Sequence, residues 1–306
     1  MDTVIETVGL VKRYGRRHAL DGLTLRVPAY SVLGLVGPNG AGKTTWMMTV
    51  AGFILPDAGT INILGQGPFS AESHSGRLTI LPQDSDLPLE GCPIDLLNHY
   101  GRLQGLSAQE ARRSATEILQ AVNLADRAKT PIRALSHGMR KRVMIAQCFI
   151  GYPEVVLLDE PLSGLDPREV ARMRDFLLSK RGRITVIISS HNLNEIETLC
   201  THVAFVEKGR VERVEALERL THASNRLIYR LTGPLPDLDA LKRLVPEASF
   251  DWSAADTALT CSFDEARWQT EAVNRIVIPQ ILEQSGLLAI ERGSSLEQAY
   301  LQEKRG

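Results

Sequence analysis

No stretch of this chain is apolar for long enough to cross a bilayer. The longest such runs, residues 31–36, 155–158 and 184–188, fall far short of the roughly 20 residues that a spanning helix needs, so no segment is expected inside a membrane. Charge of one sign is equally scarce. With 35 basic and 36 acidic side chains the formal net charge is -1, which leaves no global field to draw the chain onto nucleic acid or anionic lipid. The four cysteines, Cys92, Cys148, Cys200 and Cys261, include no CxxC pair. They are expected to be reduced packing residues rather than metal ligands or a redox couple. The opening Met1-Asp2-Thr3-Val4-Ile5-Glu6 lacks the basic region and apolar stretch of a signal peptide, so a cytosolic protein is expected. There is no internal repeat, low-complexity tract or sustained heptad pattern.

What remains is ample material for a folded core, since 43% of the 306 residues are hydrophobic. Short β-rich runs alternate with helical stretches up to about residue 220, the pattern of a mostly parallel sheet covered by helices, so the fold class is α/β. Residues 31–36 form a buried strand that enters a glycine-rich turn, and a helix follows from Lys43 to about Gly52. Residues 84–150 switch to three- and four-residue apolar spacing and are expected to be a helical insertion. Strand patterns return at 154–159, 184–190 and 203–207, with a helix from Pro167 to about Lys180 and a hairpin turn at Lys208-Gly209. The character changes again after about residue 222. Residues 223–306 are expected to form a small α+β domain, with strands at 227–231 and 258–263 and helices near 276–285 and from Ser295.

The run Gly37-Pro38-Asn39-Gly40-Ala41-Gly42-Lys43-Thr44 fits the phosphate-binding pattern GxxxxGK[ST], and it lies between a strand and a helix as that mechanism requires. Its glycines let successive backbone N–H groups curl around phosphate oxygens, and the helix start adds the positive end of its dipole. Lys43 would bridge the β- and γ-phosphates, and Thr44 would hold Mg²⁺. Such a loop alone does not choose among kinases, GTPases, helicases and transporters.

The strand at 155–159 ends in two adjacent acids, Asp159 and Glu160. Consecutive strand residues point to opposite faces, so the two carboxylates have different tasks. Asp159 can support a magnesium shell through water, and Glu160, at the strand exit, can polarise an attacking water. His191 follows the next strand, and Gln83 ends an earlier one in the same way. In a sheet of this kind the carboxyl ends of strands face the ligand, which brings both residues within reach of a terminal phosphate or its cation.

At this point residues 5–220 are identified by resemblance with the ABC transporter ATPase family, whose motifs occur here in the family's order. Besides the loop from Gly37 to Thr45, the Asp159-Glu160 strand and His191, the chain carries Leu135-Ser136-His137-Gly138-Met139, which resembles the family signature LSGGQ. Ser163-Gly164-Leu165-Asp166-Pro167 resembles its D-loop. The resemblance implies a P-loop ATPase core with an antiparallel β subdomain, residues 1–222, that uses ATP and Mg²⁺. It also implies that two cassettes, a homodimer or a pair with a similar partner, close head to tail over two ATP. Ser136 and Gly138 would then contact the γ-phosphate held by the opposite copy, Asp166 would cross the interface, and Tyr14 would stack on adenine. Work would be delivered to an integral membrane permease on a separate chain, which places this protein at the inner face of the cell membrane. Residues 223–306 look, more loosely, like the extension of cassettes that serve small-molecule exporters.

Two positions depart from the family pattern, His137 where glycine is usual and Met139 where glutamine is usual. At a site that needs positive φ, a histidine would carry strain of about 1 kcal/mol or more. A soluble ABC ATPase of DNA repair or translation is the competing reading. Such proteins usually carry paired cassettes, zinc modules or long coiled coils, and none is visible here.

Overall fold

The computed structural model describes residues 2–217, 225–254, 257–264 and 267–293. The chain divides between Val214 and Glu215 into two compact units, eight residues before the boundary expected from composition. The expected helix from Ser295 lies outside the described residues.

In chain order the first unit contains β1 (Thr3–Tyr14), β2 (Arg17–Pro28), β3 (Val32–Val36), α1 (Lys43–Val50), β4 (Ala58–Ile63), α2 (Ala71–His74) and β5 (Leu78–Leu81). There follow α3 (Pro93–Leu103), α4 (Ala108–Ala121), α5 (His137–Gln147), β6 (Val155–Asp159), α6 (Pro167–Leu178), β7 (Thr185–Ser189), α7 (Leu193–Leu199), β8 (His202–Glu207) and β9 (Arg210–Ala216), whose last two residues fall past the division. Six strands make the central sheet in the order β5-β6-β7-β3-β8-β9, with β5 through β8 parallel. Every residue of β3, β6 and β7 is buried, as strands covered on both faces must be, which is why they read as unbroken apolar runs. The β8–β9 hairpin turns at Lys208 and Gly209, both with positive φ (49° and 78°), as a two-residue primed turn demands.

A second, antiparallel sheet, β2-β1-β4, supplies the antiparallel subdomain. Its long strands alternate only partly and are broken by irregular pairing. Leu10, Leu23, Leu25 and Ile63 of this sheet share one core with Leu33, Leu35 and Met47. Trp46 of α1, 1% exposed, donates Nε1–H to Thr7 Oγ1 across 3.2 Å and so ties the phosphate-loop helix to β1.

The expected insertion is α3, α4 and α5 with two short 3₁₀ turns. Ser107 and Glu110 form a reciprocal capping box at the start of α4. Helix α5 begins at His137, with Ser136 as its N-cap. His137 is therefore an ordinary helical residue, absent from the residues with positive φ, and the strain expected there does not arise. Arg142 of α5 is buried. Its Nη1 donates to the carbonyls of Val122 and Asn123 at 2.7 and 3.1 Å, and its Nε lies 2.6 Å from Glu169 of α6. Removing one partner of such a pair strands a buried charge. Glu169→Ala is expected to destabilise the protein by about 3–5 kcal/mol, seen as a large fall in the denaturation midpoint, whereas a loss under 1 kcal/mol would mean that the pair is dispensable.

All four cysteines are free. Burial pushes the Cys148 and Cys261 thiols up to about 12 and raises Cys200 as well, which suits packing residues better than reactive ones.

The second unit contains β10 (Asn225–Thr232), α8 (Leu238–Leu244), β11 (Ser249–Ser253), β12 (Ala258–Phe263), α9 (Thr270–Leu282) and β13 (Gly286–Gly293). Its sheet order, β11-β12-β10-β13, with all pairs antiparallel, is that of a split βαβ arrangement. Leu227, Tyr229, Leu259, Cys261 and Phe263 pack against Leu241, Val273, Val277 and Ile281 of the helices. The Tyr229 hydroxyl is satisfied by Asn274 Oδ1 at 2.8 Å.

Candidate nucleotide site

Four parallel strands end on the same edge of the central sheet, and each hands its next residues to one cleft. Pairing aligns Leu35 of β3 and Asp159 of β6 with Ser189 of β7. The exits of those strands, at residues 37, 160 and 190, therefore stand side by side, with Pro82 and Gln83 following β5. The cleft has a volume of about 530 Å³ and is lined by Tyr14, Arg17, Ala19, the loop from Asn39 to Thr45, Gln83, Asp159, Glu160, Ser163 and His191.

The loop is built to leave backbone donors free. Gly42 is the N-cap of α1, at φ 110°, and no side chain caps the first turn. A Cβ on Gly42 would stand 2.6 Å from the Ala19 carbonyl, so only glycine fits. The uncapped N–H groups and the dipole of α1 make an anion site. Lys43 is 8% exposed, and its Nζ donates to the carbonyls of Gly37 at 2.7 Å and Pro38 at 3.2 Å. Burial lowers the pKa of this ammonium, and the nearby Glu160 and Asp159 charges oppose that shift. Gly37 and Pro38 thus contribute through Lys43, whereas Asn39 through Thr45 face the cleft directly.

The two acids differ in their surroundings. Asp159 is 2% exposed; its Oδ1 accepts from the Ser189 hydroxyl, and its Oδ2 has no protein partner. Such a buried, unpaired oxygen beside a phosphate loop is what a hydrated cation requires. Among the described residues no group of three or more His, Cys, Asp or Glu could hold a metal unaided. Thr44, Gln83 and Asp159 line the same cleft and could complete the shell of a cation together with a ligand's own oxygens. Glu160 has φ 48°, a left-handed conformation that costs about 1–2 kcal/mol in a residue with a side chain. The strain is held by Ser189, whose Oγ and carbonyl accept from Glu160 N–H at 2.9 and 3.2 Å. The Glu160 carboxylate meets His191 Nδ1 at 3.0 Å.

Tyr14 stands at the mouth, half exposed, with Lys12 Nζ 5.9 Å from its ring centre. Besides Gly37 and Pro38, three of the expected residues do not line this cleft. Ser136 is exposed and accepts Met139 N–H at 3.2 Å as the cap of α5; Gly138 is the second residue of α5, against Glu169; Asp166 caps α6 through Arg168 and Glu169 N–H, both at 3.0 Å.

Sequence reading alone missed Ser189 and Arg17. Ser189 looked like one more residue in an apolar strand, and only its register opposite Asp159 reveals its task. Arg17, the first residue of β2, donates to the Gly40 carbonyl at 3.1 Å, a contact that no local pattern announces.

Residues 20–163 match the family described as ABC transporter. The Nod factor export ATP-binding protein I of Ralstonia nicotianae is 33% identical over 264 residues, covering 84% of this chain and 81% of that one. This chain belongs to the ABC transporter ATP-binding family. The daunorubicin resistance ATP-binding protein DrrA3 of Streptomyces coeruleorubidus is 41% identical over 213 residues, 69% of this chain and 67% of the relative. An ATP-binding subunit of an ABC transporter matches with TM-score 0.63 and 26% identity, covering 71% of this chain and 92% of the other. A dimeric ATP-binding cassette in a post-hydrolysis state with ADP and Pi shares the fold, with TM-score 0.62 at 22% identity over 70% of this chain and 98% of the other. As a family member the chain is an ATPase, the ATP-binding subunit of a transporter, and the DNA-repair or translation reading is not favoured. No described helix is long and apolar enough to cross a membrane.

Proposed function

We propose that two cassettes, either two copies of this chain or one copy with a similar partner, close over two ATP·Mg²⁺ and so drive a separate membrane permease in small-molecule export. The observation that carries this is the separation of roles within one chain. Lys43, Asp159, Glu160 and His191 gather around one cleft, while Ser136 and Gly138, at the start of α5, do not line it. Half of each phosphate site is left to be supplied by another copy. Ser136 suits that task, since its hydroxyl and the first-turn N–H groups of α5 form a second anion-binding end.

Within the cleft the loop from Gly37 to Thr45 grips the phosphates, with Lys43 on the β- and γ-groups and Tyr14 against adenine. Thr44, Gln83 and Asp159 would hold magnesium, which when bound offsets phosphate charge. Glu160 polarises the attacking water, and His191 orients Glu160 and meets the γ-phosphate. Asp166 faces across the interface. Binding closes the pair and phosphate release reopens it, a differential-affinity switch. The names of the Ralstonia and Streptomyces relatives support export, as does their coverage of most of this chain. Residues 215–306 are proposed as an accessory domain of that system, held at the inner membrane face through the permease.

Light scattering tests the sandwich. The Glu160→Gln chain is expected to be monomeric alone and dimeric with ATP and Mg²⁺. Adding Ser136→Glu places a carboxylate against the opposite phosphate and is expected to abolish the dimer, at a capping cost of only about 1 kcal/mol and without weakening ATP binding by the monomer. A dimer that persists in the double variant would overturn the arrangement.

A further inference from the structure

His191 raises a question of placement. Its side chain is 68% exposed, so packing does little to fix a ring whose Nδ1 must meet Glu160 Oε2 at 3.0 Å. The residues on either side are fixed instead. Ser190, 1% exposed, donates its hydroxyl to Glu195 Oε2 at 2.8 Å, and Asn192 donates Nδ2–H to Glu195 Oε1 at 3.3 Å. A single carboxylate therefore grips both neighbours of the histidine. The loop is closed by Asn192 N–H, which donates to Ser190 Oγ at 3.0 Å.

This exceeds what capping α7 requires. Asn192 already caps that helix through Asn194 N–H at 3.1 Å. In a capping box the acid at Glu195 would take the N–H of Asn192 itself. Here that donor goes to Ser190, and Glu195 reaches past it to the hydroxyl on the far side of His191. The carboxylate is half-buried, a costly place for a charge unless its hydrogen bonds serve a purpose.

We infer that Glu195 is the positioning residue of His191, a clamp that holds the 190–192 backbone so that an exposed imidazole stays aimed at Glu160. The inference rests on the hydrolytic reading of His191 and adds a residue that acts through it.

The clamp needs two acceptors. Glutamine offers one acceptor and one donor, so Glu195→Gln keeps the Ser190 arm only by setting its amide against that of Asn192. Misplacement at a distance of this kind costs up to about 100-fold in rate. The test is a double-mutant cycle on ATP turnover, with affinity for a fluorescent ATP analogue measured in parallel. Glu195→Gln is expected to lower kcat about tenfold with nucleotide affinity unchanged within about twofold. In a His191→Ala background the same change should cost less than about twofold, because residues that act as a unit are not additive. Ser190→Ala, which breaks one arm without touching the carboxylate, should show the same pattern should Glu195→Gln fold poorly. An equal fold-loss in both backgrounds, or a loss of nucleotide affinity that accompanies kcat, overturns the clamp. Unchanged turnover in His191→Ala overturns the reading of His191 and this inference with it. A loss there, with none in Glu195→Gln, overturns the inference alone.

Discussion

Replacing Glu160 with glutamine should lower ATP turnover by about 10²–10⁴-fold while leaving nucleotide affinity within a few-fold of the parent. The amide keeps the shape of the side chain and a hydrogen-bonding partner for His191, but it cannot draw a proton from water. Glu160 is the group proposed for that task. It follows the fully buried strand β6, it is held in a left-handed turn by two contacts from Ser189, and its carboxylate is aimed by His191. Strain of that sort persists only where surrounding structure over-determines it. Single-turnover kinetics check the prediction, and residual turnover above one-tenth of the parent would mean that another group activates the water.

Lys43→Ala should act on binding first. Among the described residues that line the cleft, its ammonium is the one buried cation, and Asp159 and Glu160 lie close enough to sense its charge. Without it the phosphates meet two carboxylates and no ammonium. A charge-assisted hydrogen bond contributes about 1.5–3 kcal/mol, so ATP affinity should fall roughly 10- to 100-fold and turnover should drop to background. Arginine should not restore it, because a planar fork cannot occupy a space shaped for a point charge on a flexible stem. Calorimetric titration decides the matter, and affinity within twofold of the parent would remove Lys43 from the phosphate site.

The parts legible from sequence were those where chemistry is written in consecutive residues. Gly37 to Thr45, Asp159-Glu160 and His191 each sit at a strand exit, and strand exits in a parallel sheet converge whatever the loops between them do. The runs at 155–159 and 184–190 are unmistakable because burial on both faces leaves no room for polar residues except at their ends. Other features were hidden because they depend on neighbours distant in sequence. The long strands β1 and β2 alternate poorly and pair with irregular register, so their periodicity is weak. Ser189 matters through its register opposite Asp159, and Arg142 through Glu169, 27 positions away. The expected strain at His137 assumed that the signature turn bends as a glycine turn would. Ser136 instead starts the helix at once, and a helical histidine has no such penalty.

Consider finally how Lys43 rests on its own loop. Its ammonium bonds the carbonyls of Gly37 and Pro38, so the loop's curvature is braced from within, by the same residue that the proposal sets on the phosphates. On the proposed cycle, a loop braced in this way would not need rebuilding after each release. Swapping spent fuel for fresh then reduces to one molecule leaving and another arriving, and the pace of a working stroke can be set by the partners' closing and parting rather than by repair of the grip.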